Sequence, residues 1–458
     1  MKSTIYQIGR FFRVICILTV FLFAGEADAQ KTFAKKIIEA GSPIATVQTS
    51  SGKYVSVSEI NSAAFTVRKT DSKGKRLWER SFQFDLNNTL EAVGIGGIAQ
   101  TTDGGYVLAG SGLFVDLVPT GLAYGILIKL KPSGHLEWAK RFSKSSGSDL
   151  RLAFTSVSAA PDGGFAVTGI DCVGGSTICD GARTILLTLN SSGTVVSARS
   201  FGSRTQGGNE IVTASSGGFI LTFSSAHSDT FAGTSVIRVS DAGKILWGEF
   251  YKNFLFRAVS TRDDGVILAG GCFRHSCGND LFLLKLKNNG QSEWNGRFTS
   301  DKQINFISDI RQSLDGGYLI TANGTLRNLT DKFVILKIDS SGKLLFGTTY
   351  GENNSNETVV TWGNQIFESA DGGFFLFGFT GLFDLIFGTP FDTLLLKLNS
   401  EGLVSDCSLS DPLNISTRHF GKLKIGTPEI KQENFSVEEA VLQVNLSTSK
   451  KQVSTACP

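Results

Sequence analysis

The stretch "TTDGGYVLAGSG" (Thr101–Gly112) recurs along the chain as "APDGGFAVTGI", "ASSGGFILTFS", "TRDDGVILAGG", "SLDGGYLITAN" and "SADGGFFLFGF". A weaker copy, "TSSGKYVSVSE" (Thr49–Glu59), precedes them. Each copy reads as a tight turn entering a β-strand, because Asp and Gly favour turns and the residues that follow alternate in polarity. A second anchor alternates with the first: an apolar run, a glycine turn, then a bulky residue, as in "IKLKPSGHLEWAK", "IRVSDAGKILWGE" and "LKIDSSGKLLFGT". Its glycines are Gly74, Gly134, Gly193, Gly243, Gly290, Gly342 and Gly402. A period of roughly 50 to 60 residues belongs to propellers and arrays.

Each unit divides into four strands. Strand a precedes the DGG turn, strand b follows it, strand c is the apolar run, and strand d carries the bulky residue. The a–b and c–d links are short hairpins in which glycine supplies the left-handed backbone. Four short strands cannot bury two apolar faces alone, and a closed ring of such units solves this while removing most exposed edges. The sequence therefore predicts an all-β, seven-bladed β-propeller of four-stranded antiparallel blades over residues 30–407, with a small β-rich appendage at 408–458. "KTFAKKII" (Lys31–Ile38) resembles the end of a strand d, and the last repeat lacks its bulky residue there. The N-terminal segment is thus expected to complete the last blade beside Leu394–Leu398; the alternative is that "LVSDC" closes its own blade.

Trp78, Trp138, Trp247, Trp294 and Phe346 share one position on strand d. A ring of ligand-stacking aromatics is one reading. Packing plugs between blades is the reading adopted, since copies on an outer strand cannot converge on one ligand.

The N-terminus has a basic start, the short apolar run "VICILTVFLFAG" and a small-x-small "ADA" at Ala27–Ala29. It reads as a signal peptide over residues 1–29. The mature chain is then expected to be secreted, periplasmic or at the cell surface, with no transmembrane segment after signal removal. Six cysteines remain: Cys172, Cys179, Cys272, Cys277, Cys407 and Cys457. An even number in an exported chain points to disulfides, and spacing favours Cys172–Cys179, Cys272–Cys277 and Cys407–Cys457. The last would clasp the tail to the final blade, worth about 4 kcal/mol in the chain-entropy model for a loop of about 50 residues. The cysteine spacings match no zinc knuckle.

With the repeats aligned, the chain resembles a family of exported bacterial and archaeal proteins. Their units read D-G-G-Y, a glycine-bearing strand, an apolar run ending in K-L or K-I, then x-x-G and an aromatic. "DGGYVLAGS" with "ILIKLKPSGHLEW", "DGGYLITAN" with "VILKIDSSGKLLF", and the terminal "ACP" carry the likeness. It implies a secreted propeller and supplies no catalytic motif. Blades four ("SSGGFI") and five ("DDGVIL") depart from it in the turn.

Chemistry is sparse. Only His135, His227, His275 and His419 are present. No nucleophile elbow, zincin helix or phosphate loop occurs, and no cofactor is expected. Asp103, Asp162, Asp315 and Asp371 are read as turn residues. A net charge of +3 gives no field suited to nucleic acid. The b–c and d–a links are long and varied, so they mark the face where a propeller carries its function. Two b–c loops are unusually apolar, and Phe114, Leu117, Phe383, Ile386 and Phe387 are the candidate partner-binding residues there; the alternative is that these loops pack over the channel mouth. The expected function is non-enzymatic binding of a protein or glycan partner. The alternatives are a glycan lyase or hydrolase at the channel mouth, favoured by clustered carboxylates with His or Arg there, and a structural cell-surface component.

Overall fold

The structure, a computed structural model, describes residues 32–405 except 38–40, 62, 85–89, 116–122, 145–151, 173–181, 203–205, 226–232, 273–279, 301–305, 324–331, 352–358 and 383–390, together with seven short strands between 410 and 455. It is a ring of seven antiparallel blades, each an a-b-c-d meander. Blades one to six span Ser42–Phe84, Leu90–Lys144, Leu152–Phe201, Gln206–Lys252, Phe254–Ser300 and Phe306–Tyr350. Blade seven takes strands a to c from Val359–Leu398 and strand d from Phe33–Ile37. The N-terminal segment pairs with strand c in the expected place, from Phe33 opposite Lys397 to Ile37 opposite Thr393.

The core lies between blades. Seven apolar clusters each join one blade to the next, and the closing cluster unites Ile37, Phe367, Phe375, Phe377 and Leu395 with Tyr54 of blade one. Strands b and c are covered on both faces. Asp280–Leu286 is buried at every position, so its composition is a continuous apolar run rather than an alternation.

All fourteen a–b and c–d hairpins share one hydrogen-bond pattern, as in Gly104 N–H to Thr101 O and Thr101 N–H to Gly105 O. This is a type I turn followed by a left-handed residue. Thirteen of the fourteen place glycine there, and Asp264 takes it in blade five at φ 62°.

The strand-d aromatics are packing plugs. A Cβ at Gly134, the c–d turn of blade two, would lie 2.8 Å from the ring of Trp78 in blade one. The ring contact continues to Tyr106, 6.1 Å away between centroids. Phe33 fills the same role at the closure: a Cβ at Gly74 would lie 2.4 Å from its ring.

The tail is β-rich, and it is distributed over the ring. Ser410–Pro412 pairs with strand d of blade six, Ile415–Arg418 with blade five, Ile425–Gly426 with blade four and Gln432–Asn434 with blade three. Val437–Val441 and Val444–Ser447 follow on blades two and one. Val453–Thr455 ends on Phe33–Ile37. Every blade thus gains a fifth strand, and the tail circles the molecule as a belt over the outer edges. Exposed edges template unwanted pairing, and the belt occupies all seven. Both terminal segments meet in blade seven.

Candidate functional site

The seven inner strands line a central channel of about 1030 Å³. Six of them carry a β-bulge, between Pro43 and Ala45, Ile95 and Gly97, Phe154 and Ser156, Gly208 and Glu210, Ile307 and Asp309, and Gly363 and Gln365. Bulges re-aim side chains. The residue just after each bulge, with Arg257 in regular blade five, runs around the ring as Ala45, Gly97, Ser156, Glu210, Arg257, Asp309 and Gln365. Blades one to three therefore present small residues, and blades four to seven present long polar ones.

The polar half is tied together across blades. Glu210 Oε2 accepts from Ala258 N–H at 3.3 Å, and Oε1 stands 4.0 Å from Arg257 Nη1. Burial pushes the Glu210 carboxyl up, opposed by Arg257 and Ala258 N–H. Arg257 Nε donates to Ile307 O at 3.0 Å. Asp309 Oδ2 accepts from Arg311 Nε at 2.8 Å and from Ile366 N–H at 3.1 Å. Arg311 lies over the Phe367 ring at 4.3 Å. Asn323 brackets Gly363, accepting from its N–H at 3.0 Å and donating to its carbonyl at 3.2 Å. Exposure sorts these groups: the Arg257 side chain is 50% exposed, Arg311 33%, Glu210 26% and Asp309 10%.

The face bearing the short turns is built differently. The turn carboxylates serve structure, as the sequence indicated, and each has a partner the sequence reading did not name. Asp103 Oδ1 accepts from Gly105 N–H at 2.8 Å and Thr101 Oγ1, while Oδ2 accepts from Lys129 Nζ at 2.7 Å. Asp263, Asp315 and Asp371 repeat this with Lys285, Lys337 and Lys397. All four lysines are the K of the K-L or K-I run and are buried inside strand c. For Asp103 and Asp315, burial pushes the carboxyl up, but the bonds from lysine, hydroxyl and backbone outweigh it and hold the group at about 2.

The two divergent blades compensate each other. Blade four lacks the turn Asp, so Asp241 from its c–d turn accepts from Gly218 N–H at 2.7 Å. Its strand-c cation is Arg238, which reaches Asp264 of blade five at 3.7 Å. Asp264 also accepts from Ser216 N–H at 2.8 Å. The left-handed Asp thus exchanges backbone strain for an inter-blade clasp.

Most of the site residues expected from sequence fall outside the described residues. Phe114 is in strand b of blade two, opposite Glu91. Its side chain, and Leu117, Phe383, Ile386 and Phe387, lie outside the described residues. Cys172 and Cys272 end strand b of blades three and five. Cys179, Cys277, Cys407 and Cys457 lie outside the described residues, so the three pairings remain expectations. His135 is exposed at a c–d turn, and the other three histidines are outside the description. Among the described residues, no three His, Cys, Asp or Glu gather as a metal site.

The sequence reading missed Glu210, Arg257, Asp309 and Arg311. Their signal was present: charged residues in an inner strand whose counterparts in blades one to three are Ala, Gly and Ser, or for Arg311 Val47, Ala99 and Ser158. Seeing it required the bulges, which shift the register by one residue.

No protein-family model and no curated protein matches the chain. Among solved structures, the polysaccharide lyase Uly1 is similar at 9% identity and a TM-score of 0.43, covering 78% of this chain and 90% of that one. The xylan beta-1,4-xylosidase from Bacillus Halodurans C-125 is similar at 8% identity and a TM-score of 0.30, covering 90% and 99%. MPT-4, a mannose phosphorylase from Leishmania mexicana, is similar at 7% and 0.29, covering 68% and 87%. Likeness at this level transfers no chemistry; what stands on this chain's own geometry is a seven-bladed propeller with a half-polar channel.

Proposed function

We propose that the protein is an exported, non-enzymatic propeller that binds a glycan or protein partner, which approaches from the b–c and d–a side and reaches into the channel. One observation carries this reading: the channel carboxylates are committed. Asp309 is bound by a guanidinium and a backbone N–H, and Glu210 by a backbone N–H beside a guanidinium. Acid–base hydrolysis needs two carboxyl groups free to act on one bond, and Asp309 is 10% exposed. The exposed groups of this half-ring are cations and amides, which suit recognition. The opposite face is spent on structure, since its turn N–H groups bond the next blade, as in Ser50 N–H to Gln100 Oε1 and Arg262 N–H to Gln312 Oε1, each 2.8 Å.

The enzymatic alternative keeps one specific support. Glu210 has a carboxyl raised by burial, in a cleft, with arginines near it, which is a recognised mark of functional sites.

The test is a glycan array and a protein pull-down with residues 30–458, alongside a variant with Phe114, Leu117, Phe383, Ile386 and Phe387 changed to Ser. The reading expects capture by the parent chain, and loss of capture in the variant with little change in melting temperature. A sharply lowered melting temperature would mean that these loops are core-packing lids.

A further inference from the structure

Resting on that reading of the channel as a binding site, we propose that its ligand is an acidic saccharide whose carboxylate is held between Arg257 and Arg311. The two arginines stand on the neighbouring inner strands of blades five and six. Each is anchored through Nε, one on the Ile307 carbonyl and the other on Asp309. Arg311 is further fixed by stacking on Phe367. Anchoring Nε leaves the Nη atoms of both groups; among the described residues their carboxylate neighbour is Glu210, which lies 4.0 Å from Arg257 Nη1, beyond hydrogen-bond length, and within the field of Arg311 as well. A planar, pre-oriented guanidinium with free Nη atoms is the preferred receptor for a carboxylate.

The balance of exposure sets the sign of the ligand. The two cations are 50% and 33% exposed, whereas Glu210 is 26% exposed and held by the Ala258 N–H, and Asp309 is 10% exposed and turned to its structural partners. The surface offered to solvent on this wall is therefore more cationic than anionic, although the four charges of the wall sum to zero.

The rest of the channel suits a hydroxylated ring. Ser156 on the far wall has no side-chain bond among the described residues, and Asn364 spends only its Nδ2, on the Pro43 carbonyl. Ala45 and Gly97 keep that wall clear of bulk. A volume of about 1030 Å³ lies at the upper end of the roughly 300–1,000 Å³ of small-molecule sites. That admits a short oligosaccharide and not a folded domain.

The experiment is isothermal titration of residues 30–458 with trigalacturonate, with maltotriose as the neutral probe and sodium sulfate as the bare anion. The expected result is saturable binding of trigalacturonate, at least about tenfold weaker for maltotriose, which loses the charge-assisted bidentate pair, and for sulfate, which keeps the charge but loses the contacts of the sugar rings. Arg257→Gln and Arg311→Gln should each weaken trigalacturonate about tenfold or more; the melting temperature of Arg257→Gln should stay near the parent's, while that of Arg311→Gln should fall because Asp309 loses its partner. Arg257→Lys should recover part of the loss, and Arg262→Gln on the opposite face should change nothing. Equal binding of maltotriose would overturn the acidic-ligand inference while leaving glycan binding intact. Equal binding of sulfate would reduce the site to a general anion site and overturn it too. Absence of binding to either saccharide overturns the inference; if the array and pull-down are also empty, the binding reading falls with it.

Discussion

Replacing Asp315 with Asn tests what holds the plain face together. The Lys337 ammonium is 7% exposed and bonds Asp315 Oδ1 at 2.8 Å, Oδ2 at 2.7 Å and Ser313 Oγ at 2.6 Å. Asn keeps the shape and removes the charge, leaving a buried ammonium with one hydroxyl and an amide. Breaking a fully buried pair costs about 3–5 kcal/mol. Asp315 is 54% exposed, so water recovers part of this, and about 2 kcal/mol is the expected loss once solvent screening is allowed for. Blade three is an internal control: Asp162 makes the same turn bond to Gly164 N–H at 2.9 Å, but its strand c carries Thr188 where the others carry a cation. Asp162→Asn keeps the acceptor for Gly164 N–H and should cost under about 1 kcal/mol, the charge assistance of one hydrogen bond. The pair Asp315→Asn with Lys337→Met should recover much of the loss, because no charge is then stranded. Urea denaturation of the three variants and the parent measures this. Equal costs at Asp162 and Asp315, with no recovery in the double variant, would refute the claim that the buried lysine sets the energy.

Further outcomes follow from the same contacts. Asp103 and Asp315 are held at about 2 when folded, below the ordinary 3.8; depressed carboxyls give stability that is complete above the unfolded value and lost as pH falls through the folded one. The urea midpoint should therefore fall between about pH 4 and 2, and less so in a variant lacking both pairs. Gly134→Ala should destabilise by more than the ~1 kcal/mol typical of a left-handed alanine, because the added methyl also meets the Trp78 ring 2.8 Å away; thermal melting against Gly52→Ala, which meets nothing within 4 Å, separates the two terms. Ending the chain after residue 407 should uncover the outer edges of all seven blades and produce self-association on size-exclusion chromatography. Non-reducing peptide mapping of the mature chain should find no free thiol and the pairs Cys172–Cys179, Cys272–Cys277 and Cys407–Cys457; a cross-blade pair would contradict the spacing logic.

The ring was legible because it is written locally. Each turn needs a left-handed residue, so "DGG" and "SSG" mark both hairpins of a blade, and "FAKK" at the N-terminus matches "EWAK" of strand d closely enough to reveal closure. The belt was not legible, because its strands are two to five residues long and carry no turn signal. Their partners are set by the order in which the tail passes the blades, which is a tertiary fact. The strand-c lysines were visible as "K-L", but a lysine in an apolar run reads as a solvated residue until the turn Asp is seen beside it. The channel charges were hidden by the bulges, and the loop residues favoured from sequence sit where apolar composition, not geometry, drew attention.

Binding without turnover is the central claim, and the mass of a recovered ligand tests it most directly. The mature chain is incubated overnight with the glycan it retains, separated from free glycan by size exclusion, and the co-eluting and free glycan are weighed by mass spectrometry. The account predicts intact glycan in both fractions. Shortened chains, or products lighter by the elements of water, would contradict it.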